Sequence, residues 1–217
     1  MTVINESGAA RAPLRRGAAA LVVLALGAGT LSGCAGLVVG GAVVGGLMVT
    51  DRRTSGAQVE DQAIEIKAVN RLQAALGDRG HVNVTSYNRM ALLTGEVTTE
   101  ADRAAAEQAV AQIENLKSIV NELGIGPASS VNGRMSDTVL TSKVKASFID
   151  AADLQANAVK VVTERSQVYL LGRVTEREAK RASDVARSVP GVRKVVRVFE
   201  VISEAELANL QPKPAPK

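Results

Sequence analysis

Polar and apolar residues alternate along Val82-Asn83-Val84-Thr85 and resume at Leu92-Leu93-Thr94-Gly95-Glu96-Val97 after a polar break. A period of two interrupted in this way predicts a pair of half-buried strands joined by a tight turn. The pattern returns 77 residues later, with Val159-Lys160-Val161-Val162 matching the first strand and Tyr169-Leu170-Leu171-Gly172-Arg173-Val174 the second, so the chain carries an internal repeat. Val82 and Val84 share a face with Ala91 and Leu93 in the first copy, and Val159, Val161, Val168 and Leu170 do so in the second. Gly95 and Gly172 end the second strand of each copy, where a side chain would obstruct the turn into the next element.

The period then changes to that of a helix. Ala106, Ala109, Val110 and Ile113 form an apolar stripe that recurs as Ala182, Val185, Ala186 and Val189. Thr175-Glu176-Arg177-Glu178 carries the capping box, with Thr99-Glu100-Ala101-Asp102 as its weaker counterpart. Pro190-Gly191 stops the second helix, and Asn115, the other residue type that tolerates a left-handed C-cap, stands where Gly191 does. A last strand follows over Ser118 to Leu123 and Lys194 to Val201, and amphipathic helices, Val59 to Leu76 and Asp137 to Phe148, precede the hairpins. The expected fold class is α+β, with two tandem αββαβ domains at 57–126 and 134–203 and a short linker from Gly124-Ile125-Gly126-Pro127 onward.

The N-terminus is organised differently. Arg11, Arg15 and Arg16 precede an apolar run from Ala18 to Ala28, and small residues lead into Leu31-Ser32-Gly33-Cys34, whose cysteine is the only one in the chain. This is the layout of a secretory signal over residues 1–33. Its end resembles the lipobox of bacterial lipoproteins, which implies that Cys34 receives a thioether-linked diacylglycerol, that the chain is cut before it, and that the new N-terminus is acylated. An uncleaved signal anchor with a buried cysteine is the alternative. Ala35 follows the cysteine where enteric-type lipoproteins retained at the inner membrane carry Asp, so the resemblance implies the outer membrane. Several acyl chains make such anchorage stable. Residues 35–49 are apolar but too short and too rich in Gly and Val for a spanning helix. Residues 34–56 are read as a lipidated tether lying against the membrane surface, with a helical packing element built on the Gly36/Gly40 and Gly41/Gly45 spacings as the alternative. Residues 204–217, ending Gln211-Pro212-Lys213-Pro214-Ala215-Pro216-Lys217, are expected to be a disordered tail.

The doubled Val-x-Val strand, the Leu-x-Gly-x-Val signature and the Pro-Gly-Val-x-x-Val turn resemble the BON domain, most closely from Ser136 to Val201. Two copies behind a lipobox look like the dual-BON-domain outer-membrane lipoproteins. The resemblance implies a non-enzymatic role: binding anionic phospholipid at the periplasm-facing leaflet of the outer membrane and supporting envelope integrity and cell division.

Composition bears on that expectation. With two Tyr, two Phe and no Trp, stacking platforms for bases or sugars are nearly lacking, and a secretory signal removes the chain from the cytoplasm, so nucleic acid is not an expected partner. His81 is the only histidine, read as a solvent-exposed turn residue at the start of a strand, which leaves no multi-histidine metal site and no Ser-His-Asp arrangement in the second repeat. Glu176, Glu178 and Asp184, interleaved with Arg177, Lys180, Arg181 and Arg187, read as a solvated, salt-bridged helix face. Gly40-Gly41-Ala42-Val43-Val44-Gly45-Gly46 lacks the Lys-Ser/Thr ending of a phosphate loop. No enzyme activity and no cofactor beyond the lipid on Cys34 is therefore expected.

Residues 57–126 hold 6 Lys/Arg against 10 Asp/Glu, whereas residues 134–203 hold 13 against 8, so the repeats differ in sign. The basic repeat suits an anionic leaflet, each Lys or Arg near the surface being worth about 1 kcal/mol. The resemblance points to the first helix of this repeat and to Val139, Leu140, Lys143 and Lys145 as phospholipid-binding residues. Relatives place a bulky aromatic where Val139 stands, so the lysines carry more of the expected binding. The competing reading makes Val139 core and both lysines ordinary surface charges. A scaffold that recruits an envelope or peptidoglycan-remodelling protein is the other partner class left open.

Overall fold

The computed structural model describes residues 51–210; the signal, Cys34, most of the tether and residues 211–217 lie outside the described residues. Within them each repeat follows the expected αββαβ order, except that Gly124-Ile125, read as the start of the linker, forms a short extra strand on the first sheet. The first comprises α1 (Ser55–Leu76), β1 (Gly80–Tyr87), β2 (Met90–Val97), α2 (Glu100–Ala111), β3 (Ser118–Asn121) and the short β4 (Gly124–Ile125). The second comprises α3 (Val131–Asp150), a 3-10 turn at Ala156–Ala158, β5 (Lys160–Glu164), β6 (Gln167–Val174), α4 (Glu176–Ser188) and β7 (Lys194–Val201), followed by α5 (Glu204–Leu210). In both sheets the middle strand pairs antiparallel with the strand before it and parallel with the strand after α2 or α4.

Both first helices begin earlier than their apolar stripes suggest, because a hydroxyl upstream caps them. The Ala57 amide donates to Thr54 Oγ1 and the Gly133 amide to Ser130 Oγ, each at 3.1 Å. Their inner faces repeat every fourth residue: Ile64, Ala68, Leu72 and Leu76 in α1, Leu140, Val144 and Phe148 in α3. The full capping box forms at Thr175 and Glu178, whereas Asp102 holds only half of it. Asn115 and Gly191 both take positive φ, 63° and 102°, as the C-cap reading requires.

The glycines at 95 and 172 have a different reason from the one inferred. Both lie inside the middle strand, and a Cβ on Gly95 would collide with the His81 carbonyl oxygen, one on Gly172 with that of Ala158. They permit a close approach of the preceding backbone, not a turn. The C-terminal reading is also corrected: residues 204–210 form α5, whose Leu207 is buried and whose Glu206 receives Arg173 Nη2 at 2.7 Å.

Each sheet packs one face on its own helices. Ala91, Leu93, Val82 and Val84 meet α1 and α2, and Val159, Val161, Val168 and Leu170 meet α3 and α4. The opposite faces meet each other. Tyr87 and Leu92 of the first repeat form one apolar cluster with Tyr169, Leu171 and Val198 of the second, so both tyrosines of the chain are spent here. The result is a helix–sheet–sheet–helix arrangement in which the repeats share a core.

Two upstream segments strap the repeats together in corresponding ways. Arg52, just before α1, donates to both Glu178 oxygens at 2.7 and 2.8 Å and to the Arg173 carbonyl at 2.8 Å. Ser129, just before α3, donates its amide at 3.1 Å, and its hydroxyl, to Glu96. Position 96 corresponds to position 173 in the repeat.

Candidate functional site

The two-residue hairpin turns decide where α1 and α3 sit. Asn88 and Arg89, and likewise Arg165 and Ser166, all have φ between 49° and 68°, the geometry for which Asn-Gly is normally selected. A buried aspartate on the neighbouring helix substitutes for that preference. Asp137 accepts the Arg165 and Ser166 amides, both at 2.8 Å, and Asp61 accepts those of Asn88 and Arg89, both at 2.7 Å. With its inner face and Asp137 fixed to the hairpin, α3 presents its remaining face to solvent.

That outer face holds the candidate site. Val139 is 54% exposed, which removes the reading that makes it core. Lys143 and Lys145 are exposed, and among the described residues neither has a carboxylate within 4.0 Å. Leu140 does not stand beside them: at 7% exposure it belongs to the core, and only its edge reaches the surface. It does so in a groove of about 390 Å³ between α3 and the turn after α4, bounded by Met135, Ser136, Val139, Lys143, Pro190 and Gly191. Cys34 lies outside the described residues.

Three further apolar residues on α3 escaped the sequence reading: Val131 and Met135, each 63% exposed, and Ile149, 73% exposed. Val131, Met135 and Val139 stand four apart and form one stripe. The spacing was readable once the helix is started at Ser130.

Two residues depart from expectation. His81 is not an exposed turn residue: it lies within β1 opposite Glu96, its Nε2 3.1 Å from Arg134 Nη1 and its Nδ1 buried. Glu178 leaves the solvated face of α4 and is 6% exposed. Burial alone would raise its pKa, but the Arg52 hydrogen bonds and the Thr175 amide outweigh it and hold the carboxyl below its ordinary value. Asp184 forms the expected surface pairs with Lys180 and Arg187, whereas Glu176 pairs across to Arg197 of β7. Glu164, 5% exposed at the junction of the repeats, is pushed up by burial despite the Asn83 amide donated to it at 3.1 Å.

The tandem αββαβ units, each tied from helix to hairpin in the same way, are two copies of one α+β module, and residues 60–127 and 136–203 each match the BON domain. The chain belongs to the BON-domain family. It is 35% identical to the outer membrane lipoprotein DolP of Haemophilus influenzae over 79% of this chain and 90% of that protein. It is 32% identical to a 21 kDa hemolysin of Actinobacillus pleuropneumoniae, over 70% of this chain and 79% of the other. With the osmotically inducible protein Y of Escherichia coli the identity is 29%, covering 64% and 72%. Among the described residues no helix is long and apolar enough to cross a membrane.

Proposed function

We propose that this protein is a non-enzymatic, lipid-anchored outer-membrane protein that faces the periplasm and binds anionic phospholipid through α3 of its second BON domain. Support of envelope integrity and cell division is part of the same reading. The anchor is Cys34, which carries the acyl chains. Similarity to an outer membrane lipoprotein over most of both chains supports the location. The observation that carries the binding site is the outer face of α3, where the stripe Val131, Met135 and Val139 runs beside Lys143 and Lys145. Apolar side chains at a helix surface enter the boundary between headgroups and acyl chains, while flanking ammonium groups meet the phosphates.

Two substitutions test this in a Cys34→Ala form of the chain. Lys143→Glu with Lys145→Glu replaces two attractive charges by two repulsive ones, a loss of about 2 kcal/mol or more at about 1 kcal/mol per charge, hence at least tenfold weaker sedimentation with anionic vesicles. Rising salt weakens the unmutated protein as well. Unchanged vesicle binding by the double variant would remove α3 as the contact, and capture of a defined envelope protein in place of vesicles would favour the scaffold reading.

A further inference from the structure

The two repeats build the face beside their first helix from corresponding positions but finish it differently. Ser136 and Lys143 of α3 correspond, 76 residues earlier, to Glu60 and Lys67 of α1, and Pro190-Gly191 corresponds to Glu114-Asn115. In the first repeat these residues tie helix to turn: the Asn115 amide donates to Glu60 at 3.0 Å, and Lys67 Nζ lies 3.9 Å from Glu114. Two carboxylates thus stand across the gap, and one of them lies beside its lysine. In the second repeat Ser136 donates to the Asn132 carbonyl of its own helix at 2.9 Å, Pro190 and Gly191 offer no side-chain partner, and the gap is the 390 Å³ groove. Its floor is Leu140 and Val139, and Lys143 stands at its rim.

We infer that this groove is a discrete site for the headgroup end of a single anionic phospholipid molecule, and that Glu60, Glu114 and Asn115 deny the first repeat the same role. The inference rests on the reading of α3 as the lipid-binding helix and adds that recognition is stoichiometric, not only a partition of one face into a charged surface. Charge and shape select the occupant. Lys143 supplies a cation for one phosphodiester, and the apolar floor accepts glycerol carbons and the first methylenes. The volume lies near the lower end of the roughly 300–1,000 Å³ of small-molecule sites, enough for a headgroup but not for two acyl chains. The first repeat would set a carboxylate on each side of the same phosphate, a repulsive arrangement.

The experiment uses the Cys34→Ala chain and dihexanoyl phosphatidylglycerol kept below its micelle-forming concentration, followed by NMR titration and calorimetry, with anionic vesicles in parallel. One lipid per chain is expected, with shifts centred on Ser136, Val139 and Gly191. Ser136→Glu with Pro190→Glu, which transfers the closing carboxylates of the first repeat, should weaken monomer binding at least about tenfold. Ser142→Glu with Ala146→Glu adds the same charge to exposed positions of α3 away from the groove and should weaken it far less. Melting curves confirm the fold of each variant, and Ser136→Leu, a neutral plug, should also lower monomer binding. Vesicle binding without monomer binding, or equal losses in the two charge-matched pairs, would overturn the discrete site while leaving α3 as the membrane face. Absence of both kinds of binding would instead strike the proposed function. For the exclusion, Glu60→Ser with Glu114→Pro and Asn115→Gly should bring new shifts on α1 and a stoichiometry above one; a stoichiometry still at one would overturn the role given to these three residues.

Discussion

Asp137→Ala is the substitution whose effect follows most directly from the geometry. The Asp137 side chain is buried and accepts two amide hydrogen bonds of 2.8 Å, from Arg165 and Ser166. Those residues sit at φ 51° and 61°, a conformation neither side chain favours, so the carboxylate both satisfies the amides and holds the turn. Hydrogen bonds to a charged group are worth roughly 1.5–3 kcal/mol each, and the turn lies near solvent, so water recovers part of the loss; a net cost of about 2–4 kcal/mol is expected. At about 2–4 °C per kcal/mol for a folded unit of this size, the melting temperature should fall by about 5–15 °C. Asp137→Asn keeps one acceptor oxygen and should cost about half as much. Asp61→Ala should cost more than either, since Asp61 also receives the Ser86 hydroxyl at 2.7 Å and Arg53 Nη1 at 2.9 Å. Urea unfolding followed by circular dichroism measures all three. A change below about 0.5 kcal/mol in Asp137→Ala, the scatter typical of plain surface substitutions, would refute the aspartate clamp.

Gly95→Ala should destabilise the first repeat by about 3 kcal/mol or more, because the new methyl group meets the His81 carbonyl oxygen and φ is 108°; a melting temperature equal to wild type would refute the close-approach account. Arg52→Ala leaves Glu178 buried without its guanidinium and should cost about 3 kcal/mol at neutral pH. Because the Glu178 pKa is lowered in the folded state, the stability Arg52 lends is present above the unfolded value and is lost as pH falls through the folded one, so acid unfolding of wild type and variant should converge. Glu164 runs the other way: its raised pKa means the folded chain holds the proton more tightly, so stability declines as pH rises from the ordinary carboxylate range through the raised value. Glu164→Gln should flatten that decline in a pH series of urea midpoints, and an unchanged slope would remove Glu164 as its source.

The hairpins, the capped helices and the left-handed caps were legible because each rests on local rules: a period of two, a Thr-x-x-Glu spacing, an Asn or Gly after a helix. What escaped depends on contacts between distant residues. Nothing local marks Asp61 and Asp137 as turn ligands, because the amides they bind lie 27 to 29 residues away in sequence. Glu178 looks like a surface residue of a charged helix until Arg52, 126 positions earlier, covers it. The apolar back of each sheet was harder still, since Tyr87, Leu92, Tyr169 and Leu171 read as the outward half of an alternating strand and become core only when the repeats meet. For the same reason an isolated second repeat would expose Tyr169 and Leu171 and is a poor substitute for the whole chain. Of the candidate site, Val139 and the two lysines were visible in the helical pattern. The groove was not, because Pro190-Gly191 reaches α3 only in three dimensions.

The most direct measurement compares the two first helices on a membrane. In the Cys34→Ala chain a single cysteine bearing an environment-sensitive fluorophore is placed at 139 on α3 or at 66 on α1, positions occupied by Val139 and Ile66 and exposed to similar degrees, 54% and 64%. Upon addition of anionic vesicles the label at 139 should shift to the blue and become protected from an aqueous quencher, and the label at 66 should do neither. Equal responses at the two positions, or a response at 66 alone, would contradict the assignment of the membrane face to the second repeat.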